Sequence, residues 1–411
     1  MRDKQLYAQI LGIVSPWMVT DVELDLPGCE VRVLIEHDRS SALECPVCGA
    51  ACPGYDHRER RWRHLDTCQY KTILVARVPR VQCSEHGVVQ VRVPWSEPGS
   101  GFTAMFEALV IDWLKEASTD AVARMMGLGW KAVDGIMQRA VDRGLERRED
   151  RPPKRLCVDE TSFRKRHNYV TIVSDPDEGR VLHVGMGREK KDLQEYYDTL
   201  AEEERIGLES VAMDMWPAYI GATRDSIPDA KLKTCFDRYH VASHLGDAVD
   251  KVRRRENKSL CAAGDGSLKG TRYSWLVNPE NMDREKWRGF KALRESSLKT
   301  ARAWAIKEMA ATLWNYRTRT WAEKAWKKWL SWALRSRLEP VRKAAQMIRK
   351  HLYGILNAIV LNASNGAAES MNSRIQTIKR RSRGFRNKER FRRSIYFHLG
   401  KLDLYPAGIG R

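Results

Sequence analysis

The spacing of apolar side chains changes along the chain, and it first predicts a small β-structure near the N-terminus. Between residues 5 and 36, apolar and polar side chains alternate in two short runs (Val22, Leu24 and Leu26, then Val31, Val33 and Ile35). A period of two is typical of strands with one buried face, and Pro27-Gly28 between the runs favours a turn. We therefore predict a β-hairpin region over residues 1–44.

From residue 102 the apolar period becomes helical. Three sets of apolar positions recur at intervals of three and four residues: Phe106, Leu109, Val110, Trp113 and Leu114; Val122, Met125 and Met126; and Val133, Ile136, Met137, Ala140 and Val141. Ser118-Thr119 can cap the second, short helix, and Gly127-Leu128-Gly129 separates it from the third.

A short helix, a glycine turn and a longer helix form the helix-turn-helix pattern, although any small three-helix bundle shows the same spacing. We predict a DNA-binding helix-turn-helix domain over residues 102–146. Its third helix offers three candidate DNA contacts: Lys131, Gln138 and Arg139.

After a charged, proline-broken boundary at residues 144–155, the pattern predicts a mixed sheet. The candidate strands are Leu156–Asp159, Tyr169–Ser174, Arg180–Met186, Leu208–Asp214 and Ala230–Phe236, with helices over Lys190–Glu203 and Pro217–Asp225. Three antiparallel strands, then helix, strand, helix and strand, is the order of the ribonuclease H-like fold. The first and fourth strands are neighbours in that fold, so Asp159 and Asp214 would project side by side.

Two carboxylates at neighbouring strand ends repel each other unless a cation lies between them. Mg²⁺ suits such a site, because it prefers oxygen ligands and keeps positions open for water and phosphate. A single aspartate at a strand end is more often a turn or a cap, so the pairing of Asp159 with Asp214 is what indicates a metal site. Glu160 and Asp237 are the nearest alternative acids.

Residues 245–361 do not continue the sheet pattern. They are helical in period and interleave basic residues with many of the chain's 14 tryptophans. We predict an all-α insertion in which any given tryptophan is more often core than ligand-binding. Some, as in Trp326-Lys327-Lys328-Trp329, are placed to stack on bases or to lie along phosphates.

Residues 362–400 return to the predicted catalytic fold. Ser364 or Asn365 can cap a helix on which Glu369 and Asn372 share one face, so that Glu369 could complete the acidic site. Basic residues follow on this helix and just beyond it: Arg374, Lys379, Arg380, Arg381, Arg383 and Arg386. Such a run is usually a solvated face, but beside an acidic metal site it favours a track for DNA phosphates.

Charge and composition narrow the class of protein. The net charge is +19 with a pI of about 9.6, which favours a polyanionic partner, since cationic side chains release counterions condensed on nucleic acid. A basic but inert surface is the alternative. No apolar run approaches the roughly 20 residues that a membrane span needs, and the polar start Met1–Gln5 lacks the apolar core of a signal peptide.

The nine cysteines indicate a metal site in a reducing compartment, because they are odd in number and partly clustered in knuckle spacing. Cys45-Pro46-Val47-Cys48 and Cys83-Ser84-Glu85-His86 have the same spacing, and each is followed by glycine. We predict a zinc ribbon over residues 45–93, with Zn²⁺ bound by Cys45, Cys48, Cys83 and His86. For the fourth ligand, nearby alternatives remain: Cys52, His57, His64 and Cys68.

The expected architecture is therefore a multidomain α+β chain. A zinc ribbon and a helix-turn-helix domain precede a ribonuclease H-like catalytic core. That core comprises residues 155–244 and 362–400 and is interrupted by the all-α insertion.

These motifs together resemble the insertion-sequence transposases of the ISL-three (ISL3) group. Besides the zinc knuckles and the helix-turn-helix pattern, the resemblance is carried by Val158-Asp159-Glu160, Met213-Asp214-Met215 with Tyr219, Asp237-Arg238-Tyr239-His240-Val241, Asn365 to Asn372, Ile378-Lys379-Arg380 and Gly384-Phe385-Arg386-Asn387. It covers nearly the whole chain. It departs from the group at His86, where the second knuckle usually ends in cysteine.

The resemblance implies a DDE triad of Asp159, Asp214 and Glu369 that holds Mg²⁺ or Mn²⁺, with His240 and Asn372 as supporting residues. Water would cleave a phosphodiester at the transposon end, and the freed 3′-hydroxyl would attack a second phosphodiester. The expected partner is double-stranded DNA, both the terminal inverted repeats and the target. No membrane partner and no small-molecule substrate are expected.

A homodimer or higher oligomer is expected for holding two ends, in a bacterial, cytoplasmic and nucleoid-associated protein. Two alternatives stay open. One is a zinc and helix-turn-helix repressor derived from a transposase, against which the intact triad argues. The other is a nuclease that cuts without joining.

Overall fold

The computed structural model describes residues 3–149, 151–164, 168–277, 279–296, 298–363 and 366–409. The chain divides into two compact units. The first comprises Met1–Glu149 with Tyr396–Arg411, and the second comprises Asp150–Ile395. In the described ranges, no helix has both the length and the apolar character needed to cross a bilayer.

The first unit begins with a helix and one five-stranded sheet. The helix is α1 (Asp3–Ile10), and the strands are β1 (Trp17–Asp25), β2 (Glu30–His37), β3 (Gly54–Arg63), β4 (Lys71–Cys83) and β5 (Gly87–Gln90). The strand order is β1-β2-β4-β3, with β5 paired to β4. The predicted hairpin is present as β1 and β2, which pair antiparallel.

The hairpin and the zinc-ribbon region share this sheet, because β2 pairs in parallel with β4 over Glu30↔Lys71 to Ile35↔Ala76. The alternating side chains Val31, Val33 and Ile35 are buried, as the sequence pattern predicts. The sequence separated residues 1–44 from residues 45–93, whereas the structure joins them through this pairing. A local alternating pattern identifies a strand but not its partner.

Three helices follow in the first unit: α2 (Ala104–Glu116), α3 (Thr119–Met125) and α4 (Trp130–Glu146). The Ser118 side chain caps α3 by accepting from the Ala121 N–H. Gly127 follows α3 with a φ of +61°, a conformation that favours glycine.

The apolar residues predicted for the third of these helices are all buried: Val133, Ile136, Met137, Ala140 and Val141. Two residues predicted to face inward do not, because Trp113 is 43% exposed and Met125 is 52% exposed. A single extra apolar residue beside a helical stripe does not reveal on which side of the stripe the core ends.

The second unit contains a five-stranded mixed sheet. Its elements are β6 (Arg155–Arg164), β7 (Asn168–Asp175), β8 (Arg180–Gly185), α5 (Lys190–Asp198), α6 (Glu202–Gly207), β9 (Ser210–Met213), α7 (Pro217–Ser226), α8 (Ala230–Lys233) and β10 (Thr234–Phe236). The order is β10-β9-β6-β7-β8. β6, β7 and β8 are antiparallel, whereas β9 is parallel to both β6 and β10.

The predicted adjacency of the first and fourth strands of this sheet is therefore present. Two local predictions were wrong. Lys190–Glu203 is not one helix, since α5 ends at Asp198 and α6 starts at Glu202. The predicted strand Ala230–Phe236 is half helix, because α8 occupies its first four residues.

Helices fill the chain between β10 and residue 360. They are α9 (Arg238–Ala262), α10 (Arg272–Leu276), α11 (Arg284–Arg294), α12 (Lys299–Thr312), α13 (Arg319–Leu334), α14 (Glu339–Lys350) and α15 (Leu352–Val360), with 3₁₀ turns at Pro279–Asn281 and Leu313–Asn315. The expected boundary between residues 244 and 245 lies inside α9, which is continuous across it.

The tryptophans of this helical region are mainly core residues. Trp275, Trp326 and Trp329 are fully buried in a cluster that also contains Val158 and Met213 of the sheet. The helices and the sheet thus share one core. Trp321 and Trp332 are exceptions, at 60% and 37% exposed. Two last helices, α16 (Gly366–Arg381) and α17 (Lys388–Leu399), complete the fold.

Candidate active site and metal centre

Asp159 and Asp214 lie side by side because of the β6–β9 register. Leu156 pairs with Val211 and Cys157 with Ala212 in parallel, so the two aspartates follow at matching positions. Each carboxylate is oriented by the next backbone N–H. The Asp159 Oδ1 accepts from Glu160 at 2.7 Å, and the Asp214 Oδ1 accepts from Met215 at 2.6 Å.

Burial raises the pKa of Asp159 to about 6, and the charges of Glu160 and Asp214 act in the same direction. The Glu160 backbone N–H and the imidazole of His240 oppose this shift. His240 Nδ1 lies 3.5 Å from the Asp214 Oδ1. This pair of acids therefore favours a cation, since a bound proton or metal ion relieves both burial and repulsion.

Helix α16 lies along β6 and is fixed to it by three side chains. Asn372 Nδ2 donates to the Asp159 Oδ2 at 2.7 Å and to the Glu160 carbonyl at 3.3 Å. Gln376 donates to the Thr161 hydroxyl at 2.8 Å, and Lys379 donates to the Ser162 carbonyl at 2.8 Å. In the part of the chain that the structure describes, the buried Oδ1 of Asn372 has no hydrogen-bond partner, which leaves an unused acceptor beside Asp159.

Glu369 lies in the first turn of α16, one turn before Asn372, and its side chain is exposed. Ala368 beside it packs against Cys157 and Ala212 on the sheet. Among the described residues, the carboxylate oxygens of Asp159, Asp214 and Glu369 do not form one compact group. The group of three or more possible metal ligands whose atoms all lie within 4.8 Å of one another is formed by cysteines and a histidine of the first unit. The predicted caps Ser364 and Asn365 lie outside the described residues.

Three further residues surround this site, and the sequence did not single out two of them. Arg188 lies 3.6 Å from Glu160. His351 is buried against the ring of Phe236 at 5.1 Å; burial lowers its pKa while the Asp214 charge opposes this shift. Asp237, an alternative acid, caps α9 by accepting from the Tyr239 N–H at 3.0 Å. Neither Arg188 nor His351 belongs to a motif or a periodic pattern.

The zinc ligands predicted from the two knuckles converge in the first unit. The ligand atoms of Cys45, Cys48, Cys83 and His86 all lie within 4.8 Å of one another. The Cys48 and Cys83 sulfurs are 3.8 Å apart, and the His86 Nδ1 lies 3.7 Å from the Cys45 sulfur and 3.5 Å from that of Cys83.

These distances fit one tetrahedral Zn²⁺. With Zn–S of about 2.3 Å and Zn–N of about 2.0 Å, tetrahedral geometry separates two sulfurs by about 3.8 Å and sulfur from nitrogen by about 3.5 Å. Backbone N–H groups of Glu85 and His86 lower the pKa of the Cys83 thiol to about 7. The backbone around Cys83 therefore favours a thiolate at that position.

The alternative fourth ligands have other positions. The Cys52 thiol donates to the Ala50 carbonyl at 3.3 Å. His64 is buried with its Nδ1 2.8 Å from the Thr103 hydroxyl, and burial lowers its pKa to about 4. Among the described residues, neither these two nor His57 and Cys68 belong to the group that surrounds the knuckle sulfurs.

The predicted DNA contacts of α4 divide into two kinds. Lys131 and Gln138 are exposed. Arg139, in contrast, donates through Nε to Glu107 at 2.9 Å, and Glu107 is only 1% exposed. Because a buried carboxylate needs a charged partner, the first role of Arg139 is to join α4 to α2.

The predicted C-terminal track divides in the same way. Lys379 is half-buried and bonded to β6, and burial lowers its pKa. The other predicted residues of the track are exposed: Arg374, Arg380, Arg381, Arg383 and Arg386.

Comparison with known families assigns three regions of the chain. A family profile described as "Transposase" matches residues 156–395. A profile described as "zinc-finger of transposase IS204/IS1001/IS1096/IS1165" matches residues 42–86, and one described as "Helix-turn-helix domain of transposase family ISL3" matches residues 91–141. Zinc-ribbon and helix-turn-helix domains ahead of a transposase domain define a DNA-binding transposase of an insertion sequence. The chain belongs to the ISL3 family of these transposases.

Two relatives agree with this assignment. The chain is 30% identical over 419 residues to the "Transposase for insertion sequence element IS1557" of Mycobacterium tuberculosis, covering 94% of this chain and 93% of the relative. It is 27% identical over 391 residues to the "Transposase for insertion sequence element IS1001" of Bordetella parapertussis, covering 93% of each. The resemblance drawn from the sequence motifs is confirmed.

Proposed function

We propose that this chain binds the terminal inverted repeats of its insertion sequence and catalyses metal-dependent DNA cleavage and strand transfer. The observation that carries the proposal is the pairing of Asp159 with Asp214 on adjacent parallel strands, with α16 fixed across them through Asn372. We also propose that the second unit is a ribonuclease H-like core interrupted by the helices between β10 and α16.

The residues at this site fit a divalent cation of the Mg²⁺ type. The donors are hard carboxylate oxygens, as Mg²⁺ prefers. Burial makes an ionised Asp159 unfavourable without a cation, and the unpartnered Oδ1 of Asn372 adds another oxygen beside the pair. Asp159 and Asp214 would hold the ions, and Glu369 would complete the set. Mn²⁺ has the same preference for oxygen ligands.

When bound, such ions would activate the attacking oxygen and stabilise the leaving one. The chain's own residues have positioning roles. Asn372 fixes the rotamer of Asp159, and His240 lies against Asp214. Exposed arginines after Asn372 neutralise phosphates along the DNA. Phosphoryl transfer needs little more from a protein than this positioning and charge neutralisation.

The decisive experiment incubates the purified chain with a labelled duplex carrying the element's own end, with Mg²⁺ and a supercoiled target. Asp214→Ala should reduce both cleavage and joining by at least about 100-fold, because it removes a metal ligand. Asp225→Ala is the matched control, since Asp225 is a surface aspartate of α7 paired with Lys190. Equal activity of Asp214→Ala and wild type would disprove the site.

The same assay separates the alternatives. A wild-type chain that binds the end but never cuts it would be a repressor. Cleavage without joined product would indicate a nuclease. We further propose that a dimer or larger assembly holds two ends, which a mixture of differently labelled end duplexes would reveal as a complex containing both labels.

A further inference from the structure

The side chain of Arg188 lies between two aromatic rings at the edge of the carboxylate site. Its Cζ is 4.8 Å from the ring centroid of Tyr169 and 4.8 Å from that of Trp216. A guanidinium between two ring faces is attracted to both, and it keeps its charge at any physiological pH. The arrangement therefore fixes a permanent cation in one place.

The loop that carries Arg188 is fixed as well. The Trp216 indole N–H donates to the Arg188 carbonyl at 3.1 Å, and the Thr171 hydroxyl donates to the Gly187 carbonyl at 2.7 Å. Gly187 itself lies against α5, where a Cβ would come within 2.6 Å of the Asp192 Oδ2. Because both the backbone and the side chain of Arg188 are held in place, Arg188 loses less conformational entropy on binding a ligand than a mobile arginine does.

The contact with its acidic neighbour, Glu160, does not occupy the full hydrogen-bonding capacity of the Arg188 guanidinium. Glu160 Oε1 is 3.6 Å from Arg188 Nη1, and both side chains are 33% exposed. This separation is longer than a hydrogen bond, and a guanidinium carries five N–H donors in a fork that matches phosphate. Arg188 contacts the two segments that carry the aspartates, because Glu160 is the neighbour of Asp159 on β6 and Trp216 lies two residues beyond Asp214. The exposed side of the guanidinium therefore lies at the strand ends where a reacting phosphate would bind, although the Glu160 side chain alternates to the other face of β6 from Asp159.

We propose that Arg188 is a phosphate-binding residue of the active site, held in place by Tyr169 and Trp216. It would bind a non-bridging oxygen of the DNA strand at Asp159 and Asp214, adding a positive charge that does not come from a metal ion. The inference rests on the proposed function, since it assigns a role within that same site. The competing explanation is that Arg188 only neutralises Glu160.

The first test compares cleavage rates of single and double variants on the end duplex with Mg²⁺. Arg188→Ala should slow cleavage roughly 100-fold, as expected for loss of one charged donor at a developing charge, and Arg188→Lys should lie between it and wild type. If Arg188 only neutralises Glu160, adding Glu160→Gln to Arg188→Ala would restore the wild-type rate, and that result would overturn the proposal. Arg155→Ala, which removes an arginine of β6 that is paired with Asp177, is the control and should cleave normally.

The second test removes the charge from the DNA instead. A duplex with one neutral methylphosphonate at the scissile position, or at the next phosphate, is bound in Ca²⁺ without cleavage. The substitution should weaken binding to wild type about tenfold more than binding to Arg188→Ala, because the lost contact already is absent in the variant. Equal losses for both proteins at both positions would show that Arg188 touches neither phosphate.

The two proposals fail in different ways. A wild-type chain that cuts no DNA would remove the proposed function and this inference together. A wild-type chain that cuts, with Arg188→Ala cutting equally well, would overturn only the role of Arg188. Far-ultraviolet circular dichroism of each variant shows whether a slow variant is still folded. If Arg188→Ala is not folded, the comparison uses Arg188→Lys, which retains a cation.

Discussion

His86 replaces the cysteine expected at the end of the second knuckle, and its distances to the knuckle sulfurs support the proposal that it is the fourth zinc ligand. We predict that His86→Ala lowers zinc from about one ion per chain to nearly none, because a tetrahedral structural site needs four ligands. His86→Cys should retain the ion. Cys68→Ser is the control, since Cys68 is exposed and is not one of the four clustered ligands. Metal analysis of the purified variants decides; zinc lost from Cys68→Ser instead would contradict the assignment.

Asp159 should make stability depend on pH when no divalent cation is added. Its pKa is raised from 3.8 to about 6, first by burial. The folded chain therefore holds a proton that the unfolded chain has lost, and this stabilisation is complete below about pH 4 and disappears as the pH rises through about 6. A pKa shift of this size corresponds to roughly 2–3 kcal/mol in the free energy of unfolding.

Asp159→Asn should remove that dependence. In magnesium-free buffer at pH 7.5, we expect the variant to exceed wild type by about 1–2 kcal/mol in free energy of unfolding, with the difference vanishing near pH 4. The hydrogen bond between residues 159 and 372 can be kept, because a flip of the Asn372 amide lets its Oδ1 accept from the new amide. The flip removes only the longer bond from Asn372 Nδ2 to the Glu160 carbonyl at 3.3 Å. Urea unfolding measures this, with the exposed Glu369→Gln as control. An Asp159→Asn variant less stable than wild type at both pH values would refute it.

At the scale of elements, α15 is packed unusually closely on β10. A Cβ at Gly354 would lie 2.4 Å from the Phe236 Cδ2, and Asn357 fixes the same helix by donating to the Lys231 and Thr234 carbonyls at 2.9 and 2.8 Å. Gly354→Ala must separate helix and strand and should cost about 1–3 kcal/mol of stability.

Gly289 supplies the matched control for this prediction. It is also helical, but a Cβ there meets nothing within 4 Å, so Gly289→Ala should stabilise by about 0.5–1 kcal/mol. Urea unfolding of both variants gives the comparison. Equal changes for the two would show that the contact with Phe236 relaxes at no cost.

Element patterns also explain what the sequence could and could not predict. The adjacency of Asp159 and Asp214 followed from strand order, because buried strands bounded by turns leave few arrangements of the sheet. Ala230–Lys233 was misassigned since apolar and basic residues alternate there over only four positions, and Leu232 is in fact 63% exposed. Arg188 and His351 were missed, because contacts made by loops and helix junctions have no period.

For the whole molecule, the charge of +19 and the assignment of the zinc and acidic sites to different compact units predict that DNA binding and chemistry can be lost independently. Asp214→Asn should abolish cleavage while binding the end duplex with an unchanged salt dependence.

Lys131 is exposed on α4, so Lys131→Ala should weaken binding and lower the slope of log affinity against log salt by about 0.9. Lys4→Ala, which removes an exposed charge from α1 paired with Asp21, should leave both unchanged. Fluorescence anisotropy across a salt series measures these slopes, and a slope altered by Lys4→Ala but not by Lys131→Ala would mean that α4 is not the DNA-facing helix.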